Sequence, residues 1–168
     1  MNQLKEIKPN QLTRSAFDLI GKDWMLVTAE KDDKVNTMTA SWGGLGVMWG
    51  KDVAFVVIRP QRYTKEFIDA SETFSLCVLD SSYRKTLSYL GSVSGRDEDK
   101  ISKSGLTLDN YEETPYFKEA TTTLICKKLF NQTFDKECFV DDALPTNFYA
   151  GNDYHTLYIV EITKVLVR

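Results

Sequence analysis

Residues 53–58 read Val-Ala-Phe-Val-Val-Ile, six consecutive apolar positions of which four are β-branched. Branching at Cβ stiffens χ1 and suits a pleated surface, and an unbroken run of this length predicts a strand covered on both faces. Two longer stretches, 121–134 and 155–167, share the preference. In the second, both faces are mainly apolar, the pattern of a strand at the centre of a closed barrel. Shorter strands are predicted over 24–29, 35–42 and 74–79, the first two joined as a hairpin by the polar turn Lys31-Asp32-Asp33-Lys34. Helical spacing is confined to short pieces at 13–20, 61–70, 83–90 and 98–103, the last two around a glycine loop from Gly91 to Gly95. Strands and helices do not alternate as in a doubly wound sheet. The expected fold is therefore mainly β: an antiparallel, Greek-key β-barrel with short α insertions. At 168 residues the chain is long enough to bury a core without staples, and a single domain over 1–168 is expected.

Charge and cysteine content narrow the function classes. Lys plus Arg number 21 against 24 Asp plus Glu, for a formal net charge of -3. That argues against a nucleic-acid partner, which needs a basic face, but leaves room for one small phosphate site built from locally grouped cations. Cys77, Cys126 and Cys138 are odd in number and form no CxxC pair, so a full disulfide framework is excluded and reduced thiols are expected. The opening Met1 to Leu12 carries no apolar signal core and no run approaches a membrane span, so a cytoplasmic protein without a membrane partner is expected. His155 is the sole histidine, and with no histidine–cysteine cluster no metal site is expected. Gly44 to Gly50 spaces its last glycine one residue too far for a dinucleotide fingerprint. Neither a phosphate-binding GxxxxGK[ST] loop nor a GxSxG elbow occurs.

Two segments carry the positive case. Asn36, Thr37, Met38, Thr39, Ala40, Ser41 and Trp42 form an extended run rich in small hydroxyl side chains and ending on a large aromatic. Such a strand displays N–H and C=O groups at regular spacing, as the edge of an isoalloxazine ring does. Gly43 and Gly44 would let the backbone approach a ligand closely, and Trp42 and Trp49 could cover a ring. Further on, Arg59, Arg62 and Lys65 fall within seven residues, with Thr64 and Lys65 near the start of a predicted helix, where free N–H groups and the helix dipole favour an anion. A flat heteroaromatic with a phosphate at one end fits both segments, which points to a flavin. The same residues also suit a plain hairpin plugged by an aromatic, followed by a solvated basic turn. Leu45 to Trp49 reads as an apolar loop that could face a partner.

Taken in order, the Asn36–Trp42 run, Arg62-Tyr63-Thr64, and Ser94-Gly95-Arg96-Asp97 through Lys100 resemble the flavin reductase-like family of FMN-binding split barrels, especially its flavoredoxin-type branch. The resemblance extends from about Phe17 to Val167. It implies bound FMN, with Asn36 to Trp42 lining the isoalloxazine and ribityl side, Arg59, Arg62, Tyr63 and Thr64 around the phosphate, and Lys100 touching the flavin. It also implies a homodimer, NAD(P)H as reductant, and a small-molecule or protein electron acceptor. Asp153-Tyr154-His155 resembles the family's Gly-Asp-His motif, which would place His155 on the nicotinamide side, although Tyr154 here separates the Asp from the His. The implied activity is hydride transfer from NAD(P)H to flavin and electron transfer onward. The alternatives are an electron carrier reduced by a partner protein, and an FMN-binding barrel without redox function.

Overall fold

The first hairpin forms where the alternating pattern predicts it. A computed structural model, which describes residues 4–168, places β1 at Lys5–Ile7, β2 at Met25–Lys31 and β3 at Lys34–Ala40. β2 and β3 pair antiparallel through Asp32 and Asp33, with φ of 51° and 58°. Both positive values belong to a two-residue turn whose twist matches that of its strands. Ahead of the hairpin, the helix expected at 13–20 is a π-helical turn, Phe17–Lys22, that buries Leu19 and Ile20.

The segment after Trp42 differs from expectation. Gly43–Met48 is a strand, β4, paired along its length with β5 (Lys51–Ile58), so Leu45 to Met48 is not a loop and Trp49 alone of that segment lies in the turn that follows. At Gly43 the packing itself requires glycine, whereas a Cβ on Gly44 would meet only ordinary contact with the Phe55 ring. A Cβ on Gly43, whose φ is 151°, would lie 2.2 Å from the Phe55 carbonyl oxygen. Only glycine lets the chain leave β3 and press against β5 at this corner.

Downstream come α1 (Tyr63–Ala70), β6 (Thr73–Leu79), α2 (Arg84–Ser92), α3 (Lys100–Ser104), β7 (Leu108–Tyr111), β8 (Thr114–Phe117), β9 (Ala120–Thr133), α4 (Ala143–Phe148) and β10 (Thr156–Val167). The β7–β8 hairpin and α4 carry no sequence pattern strong enough to have predicted them. Gly91 lies inside α2, so the expected glycine loop is shorter than the spacing suggested.

All pairings are antiparallel, and the main sheet runs β3-β2-β6-β9-β10-β5-β4, with β1 added beside β10. The sheet is open. Among the described residues β3 and β4 are not hydrogen-bonded to each other but are joined by Ser41 and Trp42, so the closed barrel expected from the sequence is not seen. β10 lies centrally between β9 and β5, as its two apolar faces require. One apolar cluster packs α1, through Phe67 and Ile68, against Val27, Met38, Val56 and Tyr158; a second gathers Leu87 and Leu90 of α2 with Leu26, Cys77 and Phe117. No described helix is long and apolar enough to cross a membrane. Cys77 and Cys126 are buried free thiols, and Cys138 is an exposed one.

Candidate functional site

The opening between β3 and β4 is where the chemistry-bearing residues gather. Met38, Thr39, Ala40, Ser41 and Trp42 line a cavity of about 350 Å³ together with Val57, Arg59, Gln61, Arg62 and His155. A smaller cavity, about 120 Å³, adjoins it through Met38, Gln61 and Arg62 and is lined further by Asn36, Tyr63, Thr64, Lys100 and residues 92–95. The larger one falls within the ~300–1,000 Å³ typical of small-molecule pockets. β3 is an end strand of the sheet, so its outer N–H and C=O groups have no strand partner among the described residues. Of the cofactor and nicotinamide-side residues that the resemblance implied, all but Thr37 line one or both cavities; Gly43, Gly44, Trp49 and Lys65, also singled out from the sequence, line neither. Thr37 turns into the core, where its hydroxyl pairs with Thr28 at 2.8 Å and donates to the Val27 carbonyl.

The smaller cavity is positively charged and rigid. Arg62 Nη1 donates to the Gly91 carbonyl at 2.8 Å, and Lys100 Nζ donates to the Leu90 and Val93 carbonyls, both at 2.9 Å. Both cations thus hold the C-terminal end of α2, where the helix dipole favours positive charge. Neither forms an ion pair with a carboxylate among the described residues. Burial, and after it the Arg62 charge, hold the Lys100 ammonium down to about 8. Thr64 lies in the first turn of α1, whose leading N–H groups have no side-chain cap. Asn36 Nδ2 donates to Thr64 Oγ1 at 2.8 Å, tying β3 to that helix start. Gly95 closes against Asn36: a Cβ there would sit 2.2 Å from Asn36 Oδ1.

The other cations of the basic window are engaged elsewhere. Arg59 forms an ion pair with Asp153, donates to the Phe148 carbonyl and lies over the Tyr149 ring at 5.2 Å. Lys65 pairs with Asp69 one helical turn along α1. Arg59 therefore fastens the 148–155 segment to the end of β5, and the uncompensated charge is that of Arg62 and Lys100.

At the opposite end of the larger cavity His155 is buried among aromatic rings. Its Nδ1 lies 2.7 Å from Tyr149 Oη, and Trp42 lies 5.3 Å away, centroid to centroid. Burial, then the Arg59 charge, push the imidazole down to about 4 against the opposing pull of Asp153, so the ring is neutral at pH 7. Tyr154, the residue separating Asp153 from His155, does not turn the imidazole away. It stacks on Tyr149 at 4.9 Å.

Sequence reasoning missed Gln61, Val57, Ser92 to Gly95 and Tyr149 as site residues. Ser94 and Gly95 stood inside the Ser94–Lys100 motif and Gln61 lay between Arg59 and Arg62, so these could have been included; Tyr149 carries no local signal, since only the return of the 148–155 segment brings it to His155.

An open antiparallel sheet with a polar groove at its β3–β4 corner is a fold found among flavin-binding proteins. The chain belongs to the flavin reductase like domain family, which matches residues 18–168. Solved structures agree. An FMN-binding domain of a flavin reductases-like enzyme from Shewanella baltica OS155 superposes with a TM-score of 0.73 at 20% identity, covering 99% of this chain and 78% of that one. Flavoredoxin of Desulfovibrio vulgaris (Miyazaki F) gives 0.67 at 25% identity, covering 86% and 69%. An NADH:FAD oxidoreductase of Streptomyces globisporus C-1027 gives 0.62 at 17% identity, covering 85% and 73%. No curated protein matches the sequence.

Proposed function

We propose that this chain is a single-domain, cytoplasmic FMN-binding oxidoreductase of split-barrel type, acting as a homodimer, that moves electrons from NAD(P)H to bound flavin and on to a small-molecule or protein acceptor. The observation that carries the reading is the pair Arg62 and Lys100, a half-buried and a buried cation on one small cavity with no carboxylate partner among the described residues. An uncompensated buried charge is costly unless an anion joins it, and Arg is suited to bidentate pairing with phosphate.

The rest of the groove fits the same ligand. The edge of β3 from Met38 to Ala40, which no strand covers among the described residues and where Arg62 Nη2 donates to the Thr39 carbonyl at 3.5 Å, would meet the alternating donors and acceptors of a flavin ring, and Trp42 lines the larger cavity. Arg62, Thr64 and the first N–H groups of α1 would hold the phosphate, with Lys100 adding charge. Bound FMN would supply a two-electron centre that accepts hydride and releases electrons singly or in pairs. His155, neutral and facing the cavity, would orient the reductant rather than exchange a proton at neutral pH. The Desulfovibrio flavoredoxin favours a second reading, an electron carrier reduced by another protein.

The test is the visible spectrum of the purified protein after addition of FMN, followed by anaerobic NADH or NADPH. A bound-flavin spectrum that bleaches with reductant is the expected result. Failure to bind flavin overturns the proposal; binding without bleaching selects the carrier.

A further inference from the structure

The Tyr149–His155 contact determines more than the position of a ring. Tyr149 Oη is buried, and among the described residues its one hydrogen-bond partner is His155 Nδ1 at 2.7 Å. A neutral imidazole carries one proton, on either nitrogen. With that proton on Nδ1, the phenol hydrogen would be left without an acceptor inside a cage of aromatic rings, at the cost of a buried unsatisfied donor. With it on Nε2, the phenol donates to Nδ1 and every buried polar atom of the pair is satisfied. His155 Nε2 makes no hydrogen bond to the protein among the described residues, and the ring lines the larger cavity. The Tyr149 ring itself is held on two sides, by Tyr154 stacked at 4.9 Å and by the Arg59 guanidinium at 5.2 Å. The tyrosine inserted between Asp153 and His155 thereby acts as a backing for the residue that grips the imidazole.

We propose that Tyr149 is a positioning residue that fixes His155 as the Nε2–H tautomer, so that the imidazole meets the cavity's occupant only as a hydrogen-bond donor and selects a ligand with a carbonyl-type acceptor, such as a carboxamide oxygen. The ligand class rests on the reading of the cavity as a site for flavin and its reductant; the tautomer does not. A ligand presenting an N–H or O–H to this point is disfavoured, because both partners would then be donors.

His155 is the sole histidine of the sequence, so ¹⁵N-histidine labelling of the full chain gives a single pair of ring nitrogens whose shifts report the tautomer directly. The expected result is the Nε2–H form in more than about tenfold excess, relaxing toward the ratio of free imidazole in Tyr149→Phe, which keeps the ring and removes only the hydroxyl. A dominant Nδ1–H form in the wild type, or the same tautomer ratio in both proteins, overturns the proposal. With FMN added, Tyr149→Phe slows bleaching by NADH about 2- to 10-fold, the worth of one hydrogen bond, with FMN affinity unchanged and no further slowing in a His155→Gln background. Equal slowing in both backgrounds shows that Tyr149 acts otherwise and overturns the proposal. Absence of any bleaching, with the NMR result as expected, overturns the reductase reading and leaves the tautomer assignment standing.

Discussion

Arg62 and Lys100 show how two cations on one small cavity link stability to binding. Arg62→Ala removes a charge-assisted partner of the proposed phosphate, and FMN affinity falls about 10- to 100-fold in a fluorescence titration. Arg59→Ala acts differently, because its guanidinium is already held by Asp153 and Phe148. It loosens the 148–155 segment and slows reduction more than it weakens FMN binding. Lys100 titrates at about 8 in the folded protein against 10.5 in the absence of its surroundings. Between those values the unfolded chain binds more protons, so stability from this group rises with pH across that window. Lys100→Met abolishes that rise. Denaturant unfolding of both proteins at about pH 8 and about pH 10 measures the difference, which also cancels the tyrosines that titrate nearby. An identical pH dependence in the two would show that Lys100 is as well solvated as a surface lysine.

Elements follow local pattern until a corner or a long-range contact intervenes. The β2–β3 turn places Asp33 at φ 58°, a left-handed conformation that costs a residue with a Cβ about 1 kcal/mol. Asp33→Gly therefore raises stability by about 1 kcal/mol, seen as a higher urea midpoint with an unchanged slope. The β3–β4 corner shows the opposite case. Gly43→Ala drives a Cβ into the Phe55 carbonyl and destabilises by about 1–3 kcal/mol or more, since backbone cannot yield as a side chain can. β2, β3, β5, β6, β9, β10 and α1 were legible because each carries its own period or β-branched run. β4 was not, because three glycines in six residues erase a strand signal. α4 was not, because Pro145 and its neighbours give no apolar face of helical spacing.

For the whole molecule, exposed apolar side chains occur at several places, Phe17 and Val140 among them, and one group involves β4 and the turn that follows it. Val47 is 71% exposed, Trp49 59% and Phe130 40%, with the last two rings 6.3 Å apart at one end of the sheet. β4 also leaves its outer edge unpaired among the described residues. Apolar surface grouped on an open edge invites a second strand or a second copy. We expect light scattering to report a dimer that Trp49→Glu converts to monomer. A wild-type monomer at micromolar concentration would refute this.

By itself the sequence determined the strand content, the antiparallel class and the two segments that form the groove, because β-branching, alternation and turn chemistry act between residues close in the chain. With the family resemblance it also pointed to Asn36, Met38 to Trp42, Arg59, Arg62 to Thr64, Lys100 and His155, which the structure brings to the two cavities. It could not decide which cation remains uncompensated, since Asp153 reaches Arg59 across 94 positions while among the described residues no carboxylate pairs with Arg62. Nor could it bring Tyr149 to His155 or leave the sheet open between β3 and β4. Those outcomes depend on which distant segments share a surface after folding. Charge compensation and tautomer are set by neighbours in space, and only the tertiary structure supplies them.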